Sequence, residues 1–190
     1  MSTCRSLLIG TGLALALIAA QAIAAHAEVV SVGGDGFELK EAARILAPPD
    51  KVYAAIVAPS QWWSSDHTFS HSAANLSLEA KAGGCFCETL PGGGSVQHLT
   101  VVYAAPGKML RLRGTLGPFQ SMPGDGVMTF TLTQAPDGTD LTLTYAITGY
   151  MRDGFDDLSK GADEVLGQQV ARLKLFTETG SPDMRPANSE

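Results

Sequence analysis

Clusters of basic side chains are what this 190-residue sequence most plainly lacks. Thirteen Lys and Arg stand against 19 Asp and Glu, a formal net charge of −6, with no basic run anywhere. Nucleic acids and anionic lipid surfaces attract such clusters, so neither is an expected partner. The usual catalytic signatures are missing too: there is no GxSxG elbow, no P-loop, no Rossmann glycine pattern and no HExxH helix. Beyond residue 27 no stretch is long and apolar enough to cross a bilayer. Cysteine is scarce, with three in the chain.

What the sequence does contain begins with a leader-like segment. Arg5 is its one charged residue before His26, an apolar run follows from Leu7 to Ala25, and Ala25-His26-Ala27 ends it with small residues at the two positions that a signal peptidase reads. Residues 1–27 are therefore expected to be a secretory signal peptide cleaved after Ala27, delivering the protein to the periplasm or outside the cell. The competing reading is an uncleaved anchor, because the run approaches the ~20 residues that span a bilayer. The small-residue end favours cleavage. No cysteine lies at the cleavage point, which argues against a lipoprotein. Cleavage would remove Cys4 and Arg5 and leave one ordinary domain of 163 residues (190 less 27), with no membrane association.

Residues 28–36 are rich in Gly and short on pattern, and are expected to form a loose arm. From Phe37 an alternation begins, with Phe37, Leu39, Ala43 and Ile45 on one face and Glu38, Lys40 and Arg44 on the other, as in a half-buried strand. Pro48-Pro49-Asp50 stops it and opens a helix, because Pro suits the first helical turn. A second short helical turn is expected from Pro59 to Trp63. Six more strands follow at Leu76 to Ala82, Cys85 to Leu90, Val96 to Ala104, Met109 to Leu116, Val127 to Gln134 and Leu141 to Thr148. Gly- and Pro-rich turns separate them, as in an antiparallel meander. Leu158, Ala162, Val165, Leu166, Gln169, Val170, Leu173 and Phe176 then recur at helical spacing, giving one long amphipathic helix that stops at Gly180. The domain is thus 37–180, with a disordered tail at 181–190.

The expected fold class is α+β: a seven-stranded twisted antiparallel sheet wrapped around a long C-terminal helix, with two short helices after the first strand. The apolar faces of sheet and helix must cover each other. A curled sheet around a single helix leaves space between them, so an internal cavity is expected. Its candidate lining residues are Trp62, Trp63, Phe69, Tyr103 and Leu112, together with Phe119, Phe130, Tyr145 and Leu166. For Phe130 and Tyr145, on inward strand faces, plain core packing is the alternative.

Polar candidates are fewer. His67 and His71 are four apart beside Asp66, but their surroundings read as loop, and no third ligand can be placed; no metal is expected. His98 sits mid-strand, where neither face is clearly the apolar one. Facing inward it could serve as an acid or base, but a surface or hydrogen-bonded position is favoured. Arg111 and Arg113 are read as outer-face residues pairing with carboxylates such as Glu79 or Glu88. Cys85 and Cys87 share a face of one strand and are poorly placed to join each other. They are read as small half-buried residues; a redox or soft-metal site lacks partners.

The order of elements and several motifs resemble the SRPBCC superfamily, also called START-like or helix-grip. Its members include the major birch pollen allergen, polyketide cyclases and dehydrases, and heat-shock-protein ATPase-activator-like domains. The resemblance spans Phe37 to Thr179. Ile45-Leu46-Ala47-Pro48-Pro49-Asp50-Lys51-Val52 resembles the family's strand and helix entry, and Pro59 with Trp62-Trp63 resembles the segment that follows. Leu110-Arg111-Leu112 after Pro106-Gly107-Lys108, and Leu166-Gly167-Gln168-Gln169, match later positions. Gly83-Gly84-Cys85-Phe86-Cys87-Glu88 and Leu116-Gly117-Pro118-Phe119-Gln120 look like a bacterial subgroup. The resemblance implies a helix-grip fold with a hydrophobic pocket, and fold does not fix function. The favoured expectation is an exported protein that binds a hydrophobic small molecule without a cofactor, rather than an enzyme. A cyclase- or dehydratase-like activity in the same cavity, using His98, Tyr103 or a carboxylate, is the first alternative. A partner-binding module like the ATPase-activator relatives is the second, and export counts against it.

Overall fold

The computed structural model describes residues 26–183, so the leader-peptide reading lies outside the described residues except for its last two positions, as do residues 184–190 of the tail. Eight strands form one antiparallel sheet: β1 (His26–Gly33), β2 (Gly36–Ile45), β3 (Leu76–Leu78), β4 (Cys85–Thr89), β5 (Ser95–Ala105), β6 (Met109–Arg113), β7 (Gly124–Ala135) and β8 (Gly138–Gly149). Their order across the sheet is β1-β2-β8-β7-β6-β5-β4-β3, every neighbouring pair antiparallel. The helices are α1 (Pro49–Ile56) and the long α2 (Asp156–Thr179).

The strand absent from the sequence reading is β1. Residues 28–36 are not a loose arm: Val29 to Gly33 pair with β2, and Gly33 faces Gly36 across a two-residue turn at Gly34-Asp35. A Gly-Asp pair between two runs is a hairpin signal. Three β-branched valines, Val29, Val30 and Val32, supply the strand propensity.

In β2 the alternation is sharp, with Phe37, Leu39, Ala43 and Ile45 all buried. The connection from β2 to β3 crosses from one side of the sheet to the other by way of α1 and three short 3-10 turns, Pro59–Gln61, Ser65–His67 and Ala73–Asn75. Two tryptophans pin this crossover. The Trp62 indole N–H donates to the Ala55 carbonyl at 2.7 Å, and that of Trp63 donates to the His67 carbonyl at 3.1 Å.

Helix α2 lays Leu166, Val170 and Leu173 into the core, with Leu158, Ala162 and Phe176 packed against it. Its C-terminal end is held by three side chains. Arg172 donates to the Trp62 carbonyl, Lys174 to the Arg44 carbonyl, and Glu178 accepts from the Leu46 N–H. Gly180 closes it at φ 82°, the left-handed C-cap conformation. Of the tail, Ser181 to Asp183 stay close to the helix, where Asp183 pairs with Arg172.

Candidate functional site

Sheet and helix do not fill the space between them near the N-terminal half of α2. A cavity of about 770 Å³ lies there. Its walls come from the crossover segment 63–69, from Phe86 and His98 on β4 and β5, from Tyr145 on β8, from the 3-10 turn at Gly117–Ser121, and from residues 157–166 of α2. The lining is mostly apolar. Asp66, His67 and Asp157 also border it, and His67 Nε2 lies 2.9 Å from Gln168 Oε1.

Two buried polar side chains meet at this wall. Glu88 and His98 are 1 % and 7 % exposed, and Glu88 accepts from His98 Nε2 at 3.0 Å. The same carboxylate accepts the backbone N–H groups of Phe69 and Ser70, at 3.1 and 2.5 Å. Burial opposes ionisation of Glu88, but hydrogen bonds from Ser70, Phe69 and His98 together hold its carboxyl below the ordinary range. Burial also pushes His98 down, despite the pull of Glu88 in the other direction. The pair is therefore a carboxylate facing a neutral imidazole. A carboxylate only accepts, so the imidazole proton sits on Nε2 and leaves Nδ1 as an acceptor. Gln120 Nε2 lies 3.4 Å from Nδ1, and both residues line the cavity.

Backbone irregularity puts His98 there. The β4–β5 register shifts between Phe86 and Cys87, which leaves His98 as the extra residue on β5, so that His98 and Leu99 are both buried in succession. The ring lies between Phe69 and Phe86, with centroids 5.9 and 5.1 Å away. Of the surface or hydrogen-bonded position favoured from sequence, the structure gives the hydrogen-bonded one, in the interior. A strict alternation cannot assign faces across a bulge.

Tyr145 supplies a third polar group. Its hydroxyl oxygen accepts the Leu116 N–H at 2.9 Å, and its own O–H remains free to donate. Burial raises this phenol well above its ordinary value, so it stays protonated.

The aromatic candidates divide. Trp63, Phe69, Phe119, Tyr145 and Leu166 lie on the cavity wall. Trp62 and Phe130 border a separate void of about 10 Å³, too small for more than one water. Leu112 is packed in the core opposite Val101 and Met128. Tyr103 is half exposed on the outside. A second register shift, between Val101 and Tyr103, makes Val102 the extra residue and turns both Val102 and Tyr103 outward. Tyr103 therefore has no place in the cavity.

The outer face brings further corrections. Arg113 pairs with Asp125 and Arg111 donates to Thr129 Oγ1, whereas Glu79 pairs with Lys81 and Glu88 is interior. Cys85 and Cys87 are joined as a disulfide, with Cα atoms 5.4 Å apart. Two steps along a regular strand span roughly 6.6 Å, so strand neighbours two apart already lie within the roughly 4.4–6.8 Å that a disulfide bridges, and the expectation that this pair cannot join is corrected. Among the described residues no three His, Cys, Asp or Glu side chains are grouped as a metal site, and no helix is long and apolar enough to cross a membrane.

Four polar residues carry more structure than the sequence reading gave them: Glu88, Gln120, Glu41 and Asp163. Glu88 was legible in principle, since it shares a strand face with Phe86. Glu41 lies on the buried face of β2 and is 3 % exposed. It meets Asp163 of α2, and both carboxyls are raised, first by burial; Glu41 reaches about 8. Glu41 thus keeps its proton near neutrality and donates it to the Asp163 carboxylate.

A family model described as Activator of Hsp90 ATPase homolog 1-like protein matches residues 46–175. No functionally curated protein matches the sequence. Among solved structures, an uncharacterized protein from Rhizobium leguminosarum is similar with TM-score 0.57 and 18 % identity, over 82 % of this chain and 98 % of that one. A protein from Mesorhizobium loti is similar with TM-score 0.53 and 22 % identity, over 73 % and 95 % of the two chains. CalU16 from Micromonospora echinospora has TM-score 0.53 and 18 % identity over 84 % of each chain. At these identities the structures speak for the fold alone. The matched family span covers more than half of the sequence, and the chain belongs to the Activator of Hsp90 ATPase homolog 1-like family, within the SRPBCC superfamily.

Proposed function

We propose that this member of the family is an exported protein that binds one largely apolar small molecule in the cavity between the sheet and α2. The observation that carries the reading is the cavity itself. At about 770 Å³ it is within the range that holds a drug-sized ligand, roughly 300–1,000 Å³. Aromatic and aliphatic walls with a few convergent polar groups are what such a ligand requires. Export rests on the leader pattern of residues 1–27, and N-terminal sequencing of the mature protein from a periplasmic fraction tests it, with Glu28 as the expected first residue.

The binding reading is tested by native mass spectrometry of protein purified from its own compartment, and by uptake of N-phenyl-1-naphthylamine, an uncharged apolar fluorophore. One bound molecule per chain is expected. A consistently empty protein that also leaves the fluorophore unbound would contradict it. The family description refers to activation of a chaperone ATPase, a partner-binding role. Nothing in the geometry around the cavity favours that role for this chain.

A further inference from the structure

We infer that His98 Nδ1 is a proton-accepting docking point for the ligand, so that the cavity selects an apolar molecule bearing a weakly acidic hydroxyl, such as a phenol or an enol. The inference rests on the binding reading and specifies the chemistry of its ligand.

The geometry requires three features. The imidazole has a fixed tautomer, because Nε2 faces a carboxylate that can only accept, at 3.0 Å. The carboxylate cannot turn away, because the Phe69 and Ser70 N–H groups hold it at 3.1 and 2.5 Å. The ring packs against Phe69 and Phe86, which favour the orientation it has. What remains to a ligand is one sp² nitrogen lone pair in an apolar wall. Its present neighbour is the Gln120 amide at 3.4 Å, a long contact from a short 3-10 turn that a better donor can displace.

An O–H group meets that lone pair better than an ether or a hydrocarbon. A site built to hydrogen-bond a hydroxyl rejects the analogue lacking it, because its buried polar atom is then left unpaired. As the ligand hydroxyl donates to Nδ1, positive character grows on the ring and Glu88 stabilises it through Nε2–H. The more acidic the hydroxyl, the stronger this bond. The free O–H of Tyr145, on the same cavity wall, can donate to an oxygen of the same ligand.

The test compares 2-naphthol with 2-methoxynaphthalene, which has a similar apolar body and no O–H, by calorimetric titration at pH 7. There the phenol is protonated, as aromatic hydroxyls titrate near ~10. At least tenfold tighter binding of the naphthol to the wild type is expected. Equal affinities would overturn the docking point and leave the binding reading intact; binding of neither would overturn both. Glu88→Gln supplies the second arm. With its amide oxygen where Oε2 accepts from both the Phe69 N–H and His98 Nε2, the tautomer is kept but the negative charge that stabilises the ring is lost, so the preference for naphthol narrows severalfold. Nitrogen-15 NMR of the imidazole reads this tautomer directly. A wild-type protein with its proton on Nδ1 would overturn the inference whether or not Glu88→Gln folds.

Discussion

At the residue scale, the interior polar groups are the ones that set pH dependence. Glu41 is protonated in the folded protein up to about 8 and has an ordinary value of 4.5. Its contribution is favourable below 4.5 and is lost as pH rises toward 8, because only the unfolded chain ionises in that window. Glu41→Gln keeps the shape and the donor to Asp163. Urea unfolding is expected to show a fall in wild-type stability across this window, flattened in Glu41→Gln. Parallel curves for the two proteins would contradict the buried carboxyl pair. His98 runs the other way. Its depressed value means that the unfolded chain takes up a proton first as pH falls below about 6.5, so stability declines on the acid side. Tyr145→Phe leaves the Leu116 N–H without its partner, and a loss of about 1–2 kcal/mol in the same assay is expected.

These residues also show what a sequence displays and what it conceals. Glu41 and Glu88 sit at inward positions of otherwise apolar alternations, beside Leu39 and Phe86; Glu88 was read as an outer-face partner of the arginines, and Glu41 was assigned to neither face. Glu41 meets Asp163, and Glu88 is held by Ser70, Phe69 and His98, all distant in sequence, which no local pattern announces. Tyr103 leaves its expected place, and His98, whose face the pattern left undecided, turns inward, because single extra residues on β5 flip the register, and a bulge has no signature in β-branched or turn residues.

At the element scale most of the architecture was legible. Six meander strands and α2 follow from period-2 and period-3.6 patterns bounded by Gly and Pro. The missing strand, β1, has an irregular register between Val29 and Ser31, and its glycine-rich hairpin turn looks like looseness. It occupies one edge of the sheet and covers the backbone of β2. Removing residues up to Gly33 exposes that backbone as an unpaired edge. Size-exclusion chromatography with light scattering is expected to show self-association of the shortened chain relative to one that keeps β1. An unchanged mass at equal stability would show that β1 is dispensable.

Helix α2 carries its own test at the C-cap. Gly180 adopts φ 82°, and an added Cβ there meets nothing within 4 Å. The cost of Gly180→Ala is thus conformational alone, about 1 kcal/mol, read as a fall in thermal midpoint.

At the scale of the whole molecule, the central feature is the space left between the eight-stranded sheet and one helix, beside the N-terminal half of α2. The polar residues that border this space, His98, Gln120 and Tyr145, come from three separate segments, and no local pattern brings them together. Gly161 gives direct access to that space. It lines the cavity from α2, and an added Cβ there meets nothing within 4 Å. Replacing a mid-helix glycine also gains several tenths of a kcal/mol (~0.5) of helix propensity. Gly161→Phe therefore obstructs the cavity without weakening the fold. The most direct measurement is an equilibrium titration of N-phenyl-1-naphthylamine into the mature wild type and into Gly161→Phe, at matched thermal stability. One binding site in the wild type and at least a tenfold weaker one in Gly161→Phe are expected; equal binding to both proteins, or none to either, would contradict a ligand-binding cavity.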